Sequence, residues 1–276
     1  MANRSMSKNL ARRAILQGLN RFGFLLTRAT SNADLIKLLV ALRPIDNGVP
    51  LVRIGGEGDG GYLLPDDFDG IQACFSPGVD QLWTFEKHLL ESFSVPSHLC
   101  DSIDKKPNDL VDGIDFHEFW IGPVSSKSAR SLSDWVSTAI GENKNDLILQ
   151  MDIEGGEFPA LFATPDSTLQ RFRMIVIELH FLNQFRNKQM WDQIYRPLML
   201  RILQLFDVVH VHPNNCCGSF PIGDFEFPKI IELTLHRKDR SKGYFGYRET
   251  PHPLDSRCVP RNRDIEIPWN KISEQS

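Results

Sequence analysis

The chain has 276 residues, 41% of them hydrophobic and 24% charged, a balance that fits one large folded domain or one domain with an appendage. Lys plus Arg number 31 against 35 Asp plus Glu, a net charge of -4 with no strongly basic pole, so nucleic acid is not an expected partner. No apolar stretch is long enough to cross a bilayer; the five cysteines, two of them adjacent at 216 and 217, suit neither a disulfide scaffold nor a zinc knuckle, and the expected location is the cytoplasm.

Arg4, Lys8, Arg12, Arg13, Arg21 and Arg28 stand among Ala, Leu and Phe with no acid before residue 31, which reads as a targeting peptide, a membrane-surface helix or a basic packing helix. Helical spacing runs over 8–20 and again over 31–43. In the second segment Ser31 or Asn32 caps the start, Leu35, Leu38, Leu39 and Leu42 form the apolar stripe, and Pro44 ends it.

Residues 52–70 read as a hairpin of two short strands around a glycine turn, whose Asp59, Gly60, Gly61 and Tyr62 form either a lip of backbone donors over a cofactor or simply the turn itself. Ile71 to Phe75 is the first core strand, and the loop Ser76, Pro77, Gly78 leads to helical spacing over 82–91. Strand, glycine turn, helix is the order that brings a ligand to a helix N-terminus. A second strand ends near Asp101 and Ser102, at the distance where an acid accepts hydrogen bonds from ribose hydroxyls; Asp104 is the rival. Residues 114–121 read as a third strand, with Trp120 or Ile121 against an adenine ring or in the core.

The central stretch is LILQMDIEGGE, Leu147 to Glu157. Its continuous apolar run suits a strand covered on both faces, and the abrupt change to acids and glycines puts Asp152 and Glu154 at the carboxyl edge where open α/β sheets bind ligands. The alternative is that these acids only cap the helix that follows. Met174 to His180 repeats the design, ending on Glu178 and His180. A long helix is expected from Gln189 to Leu205, then a strand with His210 and His212 on one face. His180 and His212 converge if their strands meet at one sheet edge. Residues 221–228 read as an irregular crossing, and Lys229 to Arg237 as an antiparallel edge strand. Trp191, Tyr195, Phe181 and Phe185 are candidates to stack on a sugar or to pack a helix. The basic, Pro-rich tail is expected to wrap the surface.

Taken together, DGGY at 59–62, SPGV at 76–79, Phe85 and Glu86, MDIEGGE at 151–157, IELH at 177–180 and ELTL at 232–235 resemble the FkbM-type S-adenosylmethionine-dependent methyltransferases. The resemblance implies a Rossmann-like class I fold, a seven-stranded sheet of order 3-2-1-4-5-7-6 with strand 7 antiparallel and helices on both faces. It also implies methyl transfer to hydroxyl oxygens of small molecules, sugars or glycans. The methyltransferase domain would occupy 51–240, between a helical segment over 1–50 and an extension over 241–276. Cofactor contacts are then expected at Asp59, Gly60, Gly61, Ser76, Gly78, Asp101, Ser102, Asp152 and Glu154, with Gly78 near the methionine portion and Asp101 at the ribose. Two features depart from the pattern: the first loop is SPGVD rather than a full glycine-rich signature, and HVHPNN is an addition.

Such chemistry needs a base as the new bond forms. His180 is the first candidate, then Asp152, then His212. These three plus Glu154 and Glu178 are also candidates to hold a divalent metal that lowers the pKa of the acceptor hydroxyl, Asp152, Glu178 and His212 first among them. The competing classes are a nicotinamide-dependent oxidoreductase or epimerase, which would want GxGxxG and a Tyr–Lys pair, and a noncatalytic binding protein on the same fold.

Overall fold

A computed structural model describes residues 18–19, 21–22, 27–141 and 145–274. The expected first helix over 8–20 and most of the basic N-terminal run lie outside the described residues.

Helix α1 (Asn32–Ala41) starts where the Ser31 side chain accepts a hydrogen bond from the Asp34 amide, and it buries Leu35, Leu38 and Leu39. Strands β1 (Leu51–Ile54) and β2 (Tyr62–Pro65) form the expected antiparallel hairpin. Next come β3 (Ile71–Pro77), α2 (Thr84–Phe93), β4 (Ser97–Asp101) and β5 (Ile114–Glu118). The expected third strand is broken at Phe119, whose amide turns back to the His117 carbonyl. Trp120 and Ile121 form a separate short strand, β6, paired in parallel with β7 (Ala129–Arg130). Helix α3 (Leu132–Ile140) is capped by Ser131.

Strand β8 (Asp146–Met151) leads to α4 (Glu157–Ala163) and α5 (Asp166–Leu169), two short helices because Pro165 interrupts them. After β9 (Phe172–Leu179), the expected long helix is composite: an α-turn at Lys188–Met190, a π-helical turn at Trp191–Tyr195, and α6 (Arg196–Leu205). Then follow β10 (Phe206–Pro213), β11 (Ser219–Ile222), β12 (Phe225–Pro228), β13 (Ile231–Arg237) and α7 (Trp269–Glu274). Residues 221–228 are therefore no irregular crossing, since β11 and β12 pair as an antiparallel hairpin. Cys216 and Cys217 form a disulfide with each other.

The main sheet has seven strands in the order β10-β13-β9-β8-β3-β4-β5. β3, β4, β5, β8 and β9 run parallel, and β13 is antiparallel to both neighbours. Numbered by role this is 3-2-1-4-5-7-6 with strand 7 reversed, the class I methyltransferase order. The expectation of an edge strand at 229–237 is corrected: β13 lies between β9 and β10, and its polar Glu232 and Thr234 are buried.

Both faces of the sheet are covered, which explains the continuous apolar runs. Leu147, Leu149 and Met151 of β8 join Ile175, Ile177 and Leu179 of β9 in one core beneath α1, α3, α4 and α6. Ile148, Met174 and Val176 point the other way, against Ile54, Tyr62 and Leu64 of the hairpin and Phe85 and Leu89 of α2. By the same alternation Gln150, Glu178, Glu232 and His212 fall on the hairpin side. The tail returns along the chain's own beginning: the Arg248 side chain donates to the carbonyls of Ile45 and Val49, and Arg43 reaches Ser273 of α7.

Candidate active site

A cavity of about 410 Å³ lies at the carboxyl ends of β3, β4 and β8. Asp59, Gly60, Gly78, Asp101, Asp152 and Glu154 of the expected cofactor contacts line it. Gly61, Ser76 and Ser102 are not among its lining residues. Gly61 is spent on the turn: a Cβ there would sit 1.9 Å from the Gly56 carbonyl oxygen. Ser102 donates its amide to Asp101 Oδ1 at 2.7 Å.

Asp101 ends β4, and its Oδ2 takes only a long 3.5 Å contact from the Asp80 amide, so one carboxylate oxygen is left to accept from a ligand. The rival Asp104 is exposed on the following turn and is not a lining residue. Gly78 has φ +88, and a Cβ there would lie 1.5 Å from the Asp152 carbonyl oxygen. Only glycine lets the first loop approach β8 this closely. Trp120 stands 55% exposed on the rim, next to Ile121.

Ser76, expected as a cofactor contact, is instead engaged beneath the cavity with Glu86 and Gln150, two lining residues to which no role was assigned. Ser76 lies between the Glu86 carboxylate and the Gln150 side-chain oxygen, and Gln150 reaches the Tyr62 hydroxyl at 3.4 Å. Burial raises Glu86 to about 7 against the opposing pull of the Ser76 hydrogen bond. The Phe85–Glu86 pair of the resemblance was the available signal.

Beyond Asp152 the site becomes a cluster of acids around one imidazole. Glu157 is fully buried, and its Oε1 accepts from the amides of Ile153 and Gly155 and from His180 Nδ1 at 3.0 Å. This is the acid that closes the turn before α4, and no side chain caps that helix, so the capping role weighed for Asp152 and Glu154 is not seen. Glu154 instead takes a left-handed φ of +55, and Gly155 at φ +99 lies under the Phe181 ring. With Nδ1 held by Glu157, His180 Nε2 faces Glu154 at 3.5 Å and Asp152 and Glu178 at 3.8 Å each.

Burial alone would lower the His180 pKa, but the hydrogen bond and charge of Glu157, with Glu178 and Asp152, hold it at about 9. Burial pushes Asp152 up to about 7, with the His180 charge opposing and Glu154, Asp59 and Glu157 adding to the rise. Burial and the charges of Asp152 and Glu232 push Glu178 up to about 9, while His180 and the Asn214 amide oppose them. At neutral pH His180 is therefore the cation of the group and Asp152 is poised to gain or lose a proton.

His212 is not part of this cluster. Strand β13 intervenes between β9 and β10, and His212 Nδ1 meets Glu232 Oε2 at 3.1 Å and Cys258 Sγ at 3.8 Å. Of the expected metal candidates, the leading set is corrected by the loss of His212 in the same way, because the atoms within 4.8 Å of one another are those of Asp152, Glu178 and His180. Trp191, Phe185 and Tyr195 are packed in the core with Phe158, and of the four expected stacking aromatics only Phe181, 54% exposed, is free of it.

Residues 120–218 match the methyltransferase FkbM domain family. The match covers about a third of the chain and, with a sheet of the class I order, supports an S-adenosylmethionine-dependent methyltransferase activity. The FkbM span contains Asp152, Glu157, Glu178, His180 and His212 but neither the first glycine loops nor Glu232 and Cys258. No match was found among curated protein sequences.

Solved structures similar to the chain include a fibrillarin/Nop5p complex, 11% identical with a TM-score of 0.33 over 61% of this chain and 73% of that one. A 16S rRNA (adenine(1408)-N(1))-methyltransferase from Catenulisporales acidiphilia is 11% identical with a TM-score of 0.30, over 68% of this chain and 97% of that one. The methyltransferase CalO6 is 12% identical with a TM-score of 0.28, over 61% and 58%. These likenesses are too distant to bear on the substrate. Among the described residues no helix is long and apolar enough to cross a membrane.

Proposed function

We propose that this FkbM-type methyltransferase is a cytoplasmic enzyme that methylates a hydroxyl oxygen of a small molecule or carbohydrate, with Asp152 taking the acceptor's proton. The observation that carries the reading is the Asp152 carboxylate on the cavity wall, held near neutral pKa beside a buried cationic His180 that Glu157 orients.

The residues present fit the cofactor. Asp101 offers an unfilled carboxylate oxygen for ribose hydroxyls, the glycine turns at Gly60 and Gly78 leave backbone close to the cavity, and Trp120 with Ile121 supplies an apolar wall for a base. When bound, S-adenosylmethionine supplies a methyl group already activated by its sulfonium. What is left to the chain is alignment and proton removal. A sugar hydroxyl is too weakly acidic to ionise beforehand, so Asp152 accepts the proton as the new bond forms. His180 is not the direct base in this reading: it is 4% exposed, lies behind Asp152 and Glu154, and already carries a proton at neutral pH. It acts as a positioning residue whose charge keeps Asp152 ionisable.

A second reading is favoured by one atom. Asp152 Oδ1 is buried without a hydrogen-bond partner, and with Glu178 and His180 it forms a carboxylate-imidazole set fit for a divalent cation. In that case the same three side chains hold the ion near the acceptor oxygen.

Calorimetric titration with S-adenosylmethionine and with NAD, each with and without Mg²⁺, tests both readings, followed by a hydroxyl-acceptor screen. Selective S-adenosylmethionine binding and transfer to an alcohol is expected. Binding of NAD alone would move the protein to the oxidoreductases, and binding without transfer to any acceptor would favour a noncatalytic role.

A further inference from the structure

A second cluster stands outside the cavity and is not used by the proposed chemistry. Glu232 of β13 lies opposite Glu178 of β9 on one side and opposite His212 of β10 on the other. Both carboxyl groups are buried, at 4% and 5% exposure, so each needs a partner there. Cys258 closes the row from the C-terminal tail, its Sγ 3.0 Å from Glu232 Oε1 and 3.8 Å from His212 Nδ1, while His212 Nδ1 is 3.1 Å from Glu232 Oε2.

One ligand atom from each of the three residues can be chosen so that all lie within 4.8 Å of one another, close to the spacing a metal ion requires. Tetrahedral zinc, with bonds of about 2.0–2.3 Å to N, O and S, sets neighbouring ligand atoms roughly 3.3–3.6 Å apart. The imidazole and the thiolate are the donors that favour zinc over magnesium or calcium, and a carboxylate is an accepted third ligand. We propose that His212, Glu232 and Cys258 form a binding site for a zinc-class divalent ion.

With three protein ligands the fourth position is left to water or a small ligand. A second cavity, of about 560 Å³, reaches the site through His212 and is bounded by the tail residues Asp255, Arg257 and Trp269. The ion would thus join the sheet to the tail. The tail in turn supports the glycine loop: Arg53 donates to the carbonyls of Gly56, Gly58 and Leu254, and a Cβ on Gly58 would lie 3.3 Å from the Arg257 carbonyl oxygen. Asp59 and Gly60, which line the cofactor cavity, are the next residues of that loop. Cys216 and Cys217, joined to each other, are not ligands.

The test uses the full-length protein stripped of metal and titrated with Co²⁺, then with Zn²⁺ as competitor. The expected result is a near-ultraviolet thiolate-to-cobalt absorption that saturates at one equivalent and is abolished by Zn²⁺. Cys258→Ser should remove the band, and His212→Gln should weaken affinity by more than the roughly 10–100-fold lost with an outer-shell partner. Asp152→Asn, in the neighbouring cluster, should leave the band intact. Cobalt binding with no thiolate band in the wild type, or a band that survives in folded Cys258→Ser, overturns the proposal. If Cys258→Ser does not fold, Glu232→Gln should weaken cobalt affinity as His212→Gln does, unchanged affinity counting against the site. Calorimetry with S-adenosylmethionine in parallel keeps failure here separate from failure of the methyltransferase reading.

Discussion

Replacing His180 with Gln removes the one cation among Asp152, Glu154, Glu157 and Glu178 while keeping a side chain of similar reach. His180 Nε2 stands 3.8 Å from Asp152 Oδ1. At an effective dielectric near 20, opposite unit charges at that distance attract by about 4 kcal/mol, or about three pKa units. The Asp152 side chain is 26% exposed, so solvent screening reduces this to about two units. The sign is fixed: the His180 charge lowers the Asp152 pKa, so its removal raises it from about 7 toward about 9. Asp152 is then about half ionised at pH 7 in the wild type and about 1% ionised in His180→Gln, and transfer at pH 7 should fall about fifty-fold and recover as pH rises. Titration of the Asp152 carboxyl by carbon NMR, assigned with Asp152→Asn, reads the shift without an acceptor, and the pH profile of kcat/KM reads it once an acceptor is in hand. A His180→Gln profile lowered equally at every pH, with the Asp152 titration unmoved, would refute the electrostatic role.

Asp101→Ala should weaken S-adenosylmethionine by about 10–100-fold in calorimetry, the loss of charge-assisted hydrogen bonds of about 1.5–3 kcal/mol, and unchanged affinity would remove the ribose assignment. Gly78→Ala forces a side chain into a position with φ +88 that lies 1.5 Å from a β8 carbonyl oxygen; at about 1–3 kcal/mol for the backbone and as much again for the clash, cofactor binding and the melting temperature should both fall, and a variant that binds normally would contradict the close approach. In metal-free protein Glu178→Gln should raise the melting temperature at pH 7 by several degrees, because a carboxyl pushed up to about 9 costs about 2–4 kcal/mol to keep neutral there, whereas destabilisation would show that the charge is compensated. Asp67 is held below its usual pKa, the bonds and charges of Arg240, Arg173 and His236 outweighing burial. Its stabilising contribution is present above the unfolded pKa near about 4 and is lost as pH falls through the lower folded value, so Arg240→Ala should unfold at a higher pH than the wild type on acid titration.

Much of this protein was legible in one dimension. Continuous apolar runs at 147–151 and 174–179 announced strands covered on both faces, and the change to acids at Asp152 and Glu178 marked the carboxyl edge, because a buried strand must shed its polar groups until it leaves the core. The Ser31 cap and its leucine stripe set α1 by local chemistry alone. Pairing and depth needed the assembled sheet. Only the insertion of β13 between β9 and β10 buried Glu232 and separated His212 from His180. The break at Phe119 sets Trp120 and Ile121 apart as β6, paired with β7, and the aromatics of the π-helical turn were claimed by the core. Glu157 begins α4, yet its partner His180 is 23 residues away. Cys258 offered no signal at all, since what brings its sulfur to His212, 46 residues distant, is the path of a tail without regular structure. Sequence determines which segments are buried and where polarity returns; the meeting of side chains from different strands is decided by strand order and by the tail that folds back across it.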